Sequence, residues 1–227
     1  MKTKIVEIQN LRFISILLVV YFHFFVRRSH IFPYEGSLSF YPLTYSYMGV
    51  QMFFCISGYV IYMSLERTSS ISMFLILRSS RIYVPLIIIL PIVFFFQKFI
   101  PGSPFYEDTS VISFFLSLFM IPPNLVNWIF ETNIQWLSLV LWSLKVEIIF
   151  YVLAGFLFYR FNKNYFLASL STLSAIQSLL QISNKFIQND LLLFMTTSYR
   201  RFEFQHFFWF VLGIYLYKYS KIGRAHV

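Results

Sequence analysis

LRFISILLVVYFHFF, residues 11–25, is a hydrophobic run that carries two ionisable side chains, Arg12 and His23. With its flanks it makes an apolar segment over about 8–26, close to the ~20 residues a helix needs to cross a bilayer. The two residues are eleven apart (23 − 12 = 11). On an α-helix, eleven steps of roughly 100° come to three turns plus about 20°, so both side chains fall on one face, about 16 Å apart. A guanidinium and an imidazole on one stripe of a membrane helix are costly unless that stripe faces protein or water. The stripe reads either as a functional pair or as a topogenic Arg followed by a packed, hydrogen-bonded His.

The rest of the chain is equally apolar. Of 227 residues, 58% are hydrophobic and 12% charged, against about 45–50% and about 25% in a soluble domain. Several spans are needed to hold so much apolar sequence, so the expected fold is all-α: a polytopic bundle of seven or eight transmembrane segments. The 30 Phe and 16 Tyr suit lipid-facing helices with aromatic belts. The net charge of +9 is explained first by Lys and Arg in cytoplasmic loops; nothing resembles a nucleic-acid module. The single Cys55 excludes an internal disulfide and a Cys-cluster metal site, and no metal is implied. The first run is not a cleaved signal: it lacks a small-residue cleavage site, and Arg27, Arg28 and further apolar segments follow it.

Going outward, a second span covers about 46–65 and contains YMGVQMFFCISGYVIYM, where Gly49 and Gly58 allow close helix approach. A basic connection carrying Arg67, Arg78 and Arg81 leads to a third span over about 82–100, which Pro85 and Pro91 are expected to kink. The loop PGSPFYEDTS, 101–110, is the clearest break. The run 111–121 is short for a span and suits a tilted or re-entrant piece; Pro122 and Pro123 end it, with a loop to about 135. Apolar segments follow over 136–158, 165–182 and 204–219, with a mixed stretch at 185–203. No internal repeat is visible. Lys2, Lys4 and the Arg67–Arg81 connection fall on one side if two spans separate them, which makes the N-terminus cytoplasmic; Arg27 and Arg28 argue the other way. Residues 222–227, IGRAHV, break the aromatic pattern and resemble a translated sequencing adapter, so the domain is read as 8–219 and as incomplete at its C-terminal end.

Two other constellations can carry chemistry. Arg78 and Arg81 are three apart, on one helix face. Paired guanidiniums clamp phosphates bidentately, although the same residues also serve as a plain positive-inside signal. Glu147 lies mid-segment with only Lys145 as a charged neighbour, and at two residues apart they do not share a face. Glu147 therefore needs a partner on another helix, a water-filled cavity or a proton, in a functional role or as a structural interhelical hydrogen bond. Glu203 and His206 are weaker candidates that suit an interfacial position.

Four stretches in order carry a resemblance. LRFISILLVVYFHF, MGVQMFFCISGYVI, RSSRIYVP and LWSLKVEIIFYVL resemble the signature segments of the acyltransferase-3 family, the membrane-embedded O-acyltransferases that include O-antigen and peptidoglycan acetylases. In the second and fourth stretches Gly49, Ser57, Gly58, Trp142 and Ser143 carry the likeness. FFWFVLGIYLY is similar to a later family helix. Family members usually have about ten helices, more than this chain holds. Where relatives often carry adjacent arginines, this chain has Leu77, Arg78, Ser79, Ser80 and Arg81.

The resemblance implies transfer of an acyl group, commonly acetyl from acetyl-CoA as donor substrate with no bound cofactor, to a hydroxyl of a cell-surface carbohydrate or glycolipid at the inner (cytoplasmic) membrane. A hydroxyl needs a positioned base, and imidazole changes charge near neutrality, so His23 is the candidate. By family likeness Arg12 holds the donor or orients His23, Arg78 and Arg81 hold the CoA phosphates, and Glu147 fixes the His tautomer or makes a structural pair. The rival class is a multi-span transporter or flippase that uses the same Arg, His and Glu as a relay. It predicts repeats between halves of the chain, and none is visible.

Overall fold

The computed structural model describes residues 2–27, 41–100, 110–138, 140–161, 163–186, 189–191, 193, 195–196 and 203–225. Among them the regular structure is helical, with no strand. The α-helices are α1 (Lys2–Tyr21), α2 (Gly49–Leu65), α3 (Ile71–Phe99), α4 (Val111–Leu118), α5 (Pro123–Phe130), α6 (Leu141–Arg160), α7 (Lys163–Phe186) and α8 (Phe207–Ala225). A π-helical turn, Phe22–Val26, continues α1, and 3₁₀ turns at Tyr41–Met48 and Phe204–His206 lead into α2 and α8. Among the described residues, four stretches are long and apolar enough to cross a membrane: Val6–Val26, Leu43–Leu65, Ile71–Phe99 and Leu141–Arg160. Large apolar side chains on α1 and α3, among them Phe13, Ile14, Ile87 and Ile88, are exposed, as lipid-facing residues must be. The all-α polytopic expectation holds, and the protein is a multi-pass membrane protein.

The helices form two compact units, Met1–Thr68 with Arg160–Val227, and Ser69–Tyr159. In the first, α1 runs antiparallel to α2. Ser15, Leu18 and Val19 pack on Gly49, while Phe22 meets Tyr47 edge-on with ring centres 5.9 Å apart. α8 runs parallel to α2: Phe54 stacks on Phe210, Cys55 and Tyr59 meet Gly213, and Tyr62 meets Tyr217. The pair is locked at one end by the Tyr217 hydroxyl, which donates to Glu66 Oε2 at 2.9 Å. α7 runs antiparallel to α8, with Phe166 stacked on Tyr62 and Ser171 Oγ 3.2 Å from the Tyr215 hydroxyl. The start of α1, the end of α2, the start of α7 and the end of α8 therefore share one end of this unit.

The second unit is built on α3 and α6, also antiparallel. Phe74 packs against Tyr151 and Gly155 near the start of α3, and Gln97 Nε2 near its end donates to the Leu137 carbonyl at 3.2 Å. The Leu137 amide in turn donates to Ser117 Oγ at 2.9 Å, so α3 and α4 together satisfy both backbone groups of a buried, non-helical residue.

Two boundaries differ from the expected ones. Residues 71–81 are not a connection but the first turns of a 29-residue α3, which Ser70 caps by accepting from the Met73 amide. The arginines disguised it: Phe74, Arg78, Ile82 and Leu86 recur every fourth residue along the buried face, and one of the four is charged. Residues 123–130 are not loop but α5. Two prolines were read as a stop, yet Pro123 at the first helical position is a start signal, since its missing N–H has no intrahelical partner there. Pro85 and Pro91 lie inside α3, which continues through both. α8 extends to Ala225, past the point where the aromatic pattern ends.

Candidate functional site

α1 is α-helical to Tyr21, so Arg12 keeps its predicted face; His23 sits one residue into the π-helical turn, closed by the Arg27 amide donating to the Phe22 carbonyl at 2.8 Å. Both residues are half-buried. π-Turns inside helices are rare and concentrate at functional sites, because the extra residue re-aims a side chain. Arg12 Nε is buried and has no hydrogen-bond partner. A buried guanidinium N–H without an acceptor costs free energy that a bound carbonyl or phosphate oxygen would recover. On α2, Ser57 is 1% exposed and its Oγ also lacks a partner. Gly49 and Gly58 serve packing: a Cβ on Gly49 would sit 2.7 Å from the Ser15 carbonyl oxygen, and one on Gly58 would meet the Phe210 backbone.

In the second unit the two arginines part company. Arg78 is 4% exposed, on the buried face between Phe74 and Ile82, whereas Arg81 is exposed. Glu147 is 5% exposed and accepts a 2.7 Å hydrogen bond from the Tyr151 hydroxyl, one turn along α6. Because Phe74 packs on Tyr151, the antiparallel register sets Arg78, one turn beyond Phe74, level with Glu147, one turn before Tyr151. Lys145, Val146 and Glu147 are all buried while Leu144, Ile148 and Ile149 are half-buried, so α6 is covered over most of its circumference at this depth, a setting in which an ionisable pair is informative. Trp142 and Ser143 lie in the first turn of α6, where Ser143 Oγ donates to the Val140 carbonyl at 3.0 Å, a local capping role.

The Glu147–Tyr151 bond yields a stability prediction. Tyr151→Phe removes the hydroxyl that the carboxylate accepts from and leaves Glu147 buried without it. The expected loss is about 1–3 kcal/mol, read as a lower thermal midpoint in detergent. A midpoint equal to the parent's would mean that the carboxylate finds another donor.

A third polar group was seen only faintly in the sequence. Glu203, in the left-handed region at φ 59°, precedes the 3₁₀ turn that opens α8. Its Oε2 lies 3.6 Å from His206 Nε2, and Gln205 Nε2 reaches both, at 3.4 Å and 3.1 Å. The His206 ring packs on Phe54 with centres 5.5 Å apart. Their spacing, i and i+3, was the available signal; the left-handed Glu203 backbone was not readable.

No curated protein and no solved structure matches the chain significantly. The acyltransferase-3 family model, described as an acyltransferase domain, matches residues 5–227. That match takes in the Arg12–His23 stripe, the α2 glycines, Arg78 and Glu147 on their facing helices, and the α8 segment; the chain belongs to the acyltransferase-3 family and is an acyltransferase.

Proposed function

We propose that the protein moves an acetyl group from acetyl-CoA to a hydroxyl of a cell-surface carbohydrate at the inner (cytoplasmic) membrane. His23 accepts the proton from the acceptor O–H as the oxygen bonds to the acyl carbonyl carbon. The carbon–sulfur bond then breaks, and the CoA thiolate leaves with its electron pair and takes up a proton. Three helical turns, about 16 Å, separate Arg12 from His23, too far for both to serve one reacting atom. Arg12 instead holds a part of the donor remote from the thioester. The observation that carries this reading is the buried Arg12 Nε without an acceptor on the same helical stripe as His23, in a chain of this family.

The N-terminus is cytoplasmic on this reading. Lys2, Lys4, Arg67, Arg160, Lys163 and Lys218 belong to helix ends that share one end of the first unit, which the positive-inside rule favours as cytoplasmic over the end bearing Arg27. CoA then enters from the Arg12 side, and the acceptor meets His23 from the other. By the family likeness Arg78 grips the CoA phosphates with Arg81 as a supporting charge, and Glu147 holds its neighbours on α3 and α6 in place. Arg81 is exposed and Arg78 is not, so the donor effect should concentrate on Arg78.

The test is acetyl transfer from labelled acetyl-CoA in membranes that contain the protein. Arg78→Lys keeps the charge but loses the guanidinium fork, and its KM for acetyl-CoA should rise about tenfold, in line with loss of a charge-assisted bidentate contact. Arg81→Lys should stay within about twofold. Equal donor KM values for Arg78→Lys and the parent would reduce Arg78 to a topological signal. No labelled product from acetyl-CoA would overturn the donor assignment.

A further inference from the structure

The Glu203–Gln205–His206 turn is absorbed by neither the base nor the donor. It lies in the same unit as His23 and at the same end. His23 follows α1 beside the Tyr41–Met48 turn that enters α2, and His206 packs on Phe54 in the second turn of α2. Its polar atoms are organised rather than dispersed. The Gln205 amide nitrogen donates to Glu203 Oε2 and lies 3.1 Å from His206 Nε2. His206 is 19% and Glu203 13% exposed, so a carboxylate and an imidazole are mostly withdrawn from bulk solvent yet still reachable.

A second, independent feature sits at the same level. Gln177 on α7 is 2% exposed, and neither its Oε1 nor its Nε2 has a hydrogen-bond partner. Ser171 faces Tyr215 across antiparallel helices; six residues further along α7, Gln177 therefore stands level with about residue 209, one turn from His206. A buried primary amide with both ends unpaired costs free energy that a ligand offering hydroxyls would recover.

We propose that Glu203, Gln205, His206 and Gln177, with the aromatic ring of Phe54 behind them, form a subsite that binds the neutral, hydroxyl-bearing acceptor and presents it to His23. The chemistry selects that ligand class. A carboxylate accepts from O–H groups, and the imidazole and the primary amides donate and accept. The Glu203 carboxylate disfavours an anion. The identification of the ligand as the acceptor rests on the acyl-transfer reading above; the polyol chemistry of the subsite does not.

The experiment measures binding, separately from turnover. Purified protein in detergent is titrated with neutral tetrasaccharides of glucose, mannose and N-acetylglucosamine, with inorganic polyphosphate as a charged control, and with acetyl-CoA in parallel. The parent should bind at least one of the sugars and not polyphosphate. Glu203→Gln and Gln177→Leu should each weaken that sugar more than tenfold while acetyl-CoA affinity stays within twofold, the latter also reporting that the variants are folded. His206→Gln should do the same. If one variant loses both ligands through misfolding, the other two decide. No sugar binding by the parent, or sugar affinity unchanged in folded variants, overturns the subsite. Sugar binding that behaves as expected in a protein with no affinity for acetyl-CoA would leave the subsite standing and remove the donor reading instead.

Discussion

His23→Ala should reduce acyl transfer by about 10²–10⁴-fold, the usual cost of removing a general base, while the protein still inserts and folds. The imidazole is half-buried on a π-turn after α1, with the Phe22 ring edge-on at 5.7 Å, so its loss trims a boundary residue and removes no core volume. The donor KM should hardly move, because the CoA phosphates are assigned to Arg78 and not to His23. That split, kcat lost with donor binding kept, distinguishes a proton acceptor from a helix-packing residue. His23→Gln retains hydrogen bonding without titration and should be nearly as inactive as Ala. Activity within a few-fold of the parent in either variant, measured with labelled acetyl-CoA at saturating donor, would remove His23 from the mechanism.

The largest stability effect is expected at the α2–α8 crossing. A Cβ on Gly213 would land on the Cys55 carbonyl oxygen and lie 2.8 Å from the Tyr59 nitrogen; one on Gly58 would meet the Phe210 carbonyl and lie 2.7 Å from its Cα. These neighbours are backbone, so no rotamer change relieves the clash and the helices must separate. Close approach at small residues is how membrane helices gain packing energy, since lipid gives them no hydrophobic drive to associate. Gly213→Val is expected to cost 3 kcal/mol or more, at or beyond the upper end of ordinary overpacking. Gly155 supplies the control. Its nearest neighbours are Phe74 ring carbons at 3.2 and 3.3 Å, which can yield, so Gly155→Ala should cost about 1 kcal/mol or less. Thermal unfolding in one detergent ranks the two. A Gly213→Val midpoint no lower than that of Gly155→Ala would show that the crossing tolerates spreading.

What the sequence determined by itself was the solvent and the class. Runs near 20 apolar residues with few charges have no stable place except a bilayer, and a bilayer admits helices because each satisfies its own backbone. The Arg12–His23 stripe was readable because helical periodicity is local, and the ordered motifs, from the α1 run to the Trp142–Glu147 segment, pointed to the family that the match over residues 5–227 establishes. Local chemistry also contained what was misread: Pro123 starts α5, and the spacing of Phe74, Arg78 and Ile82 marks a helix that its charges concealed. Tertiary structure alone decided the rest. Arg78 and Arg81 are equivalent in spacing, but only the packing of α3 buries one and exposes the other. Glu147 and Arg78 come level because α6 returns antiparallel to α3, a relation between residues 69 apart (147 − 78 = 69). Gln177 acquires meaning only where α7 packs on the turn that holds Glu203 and His206. The reason is physical: propensity and periodicity act over one or two turns, whereas burial of a charge or an amide depends on which helix arrives from elsewhere in the chain.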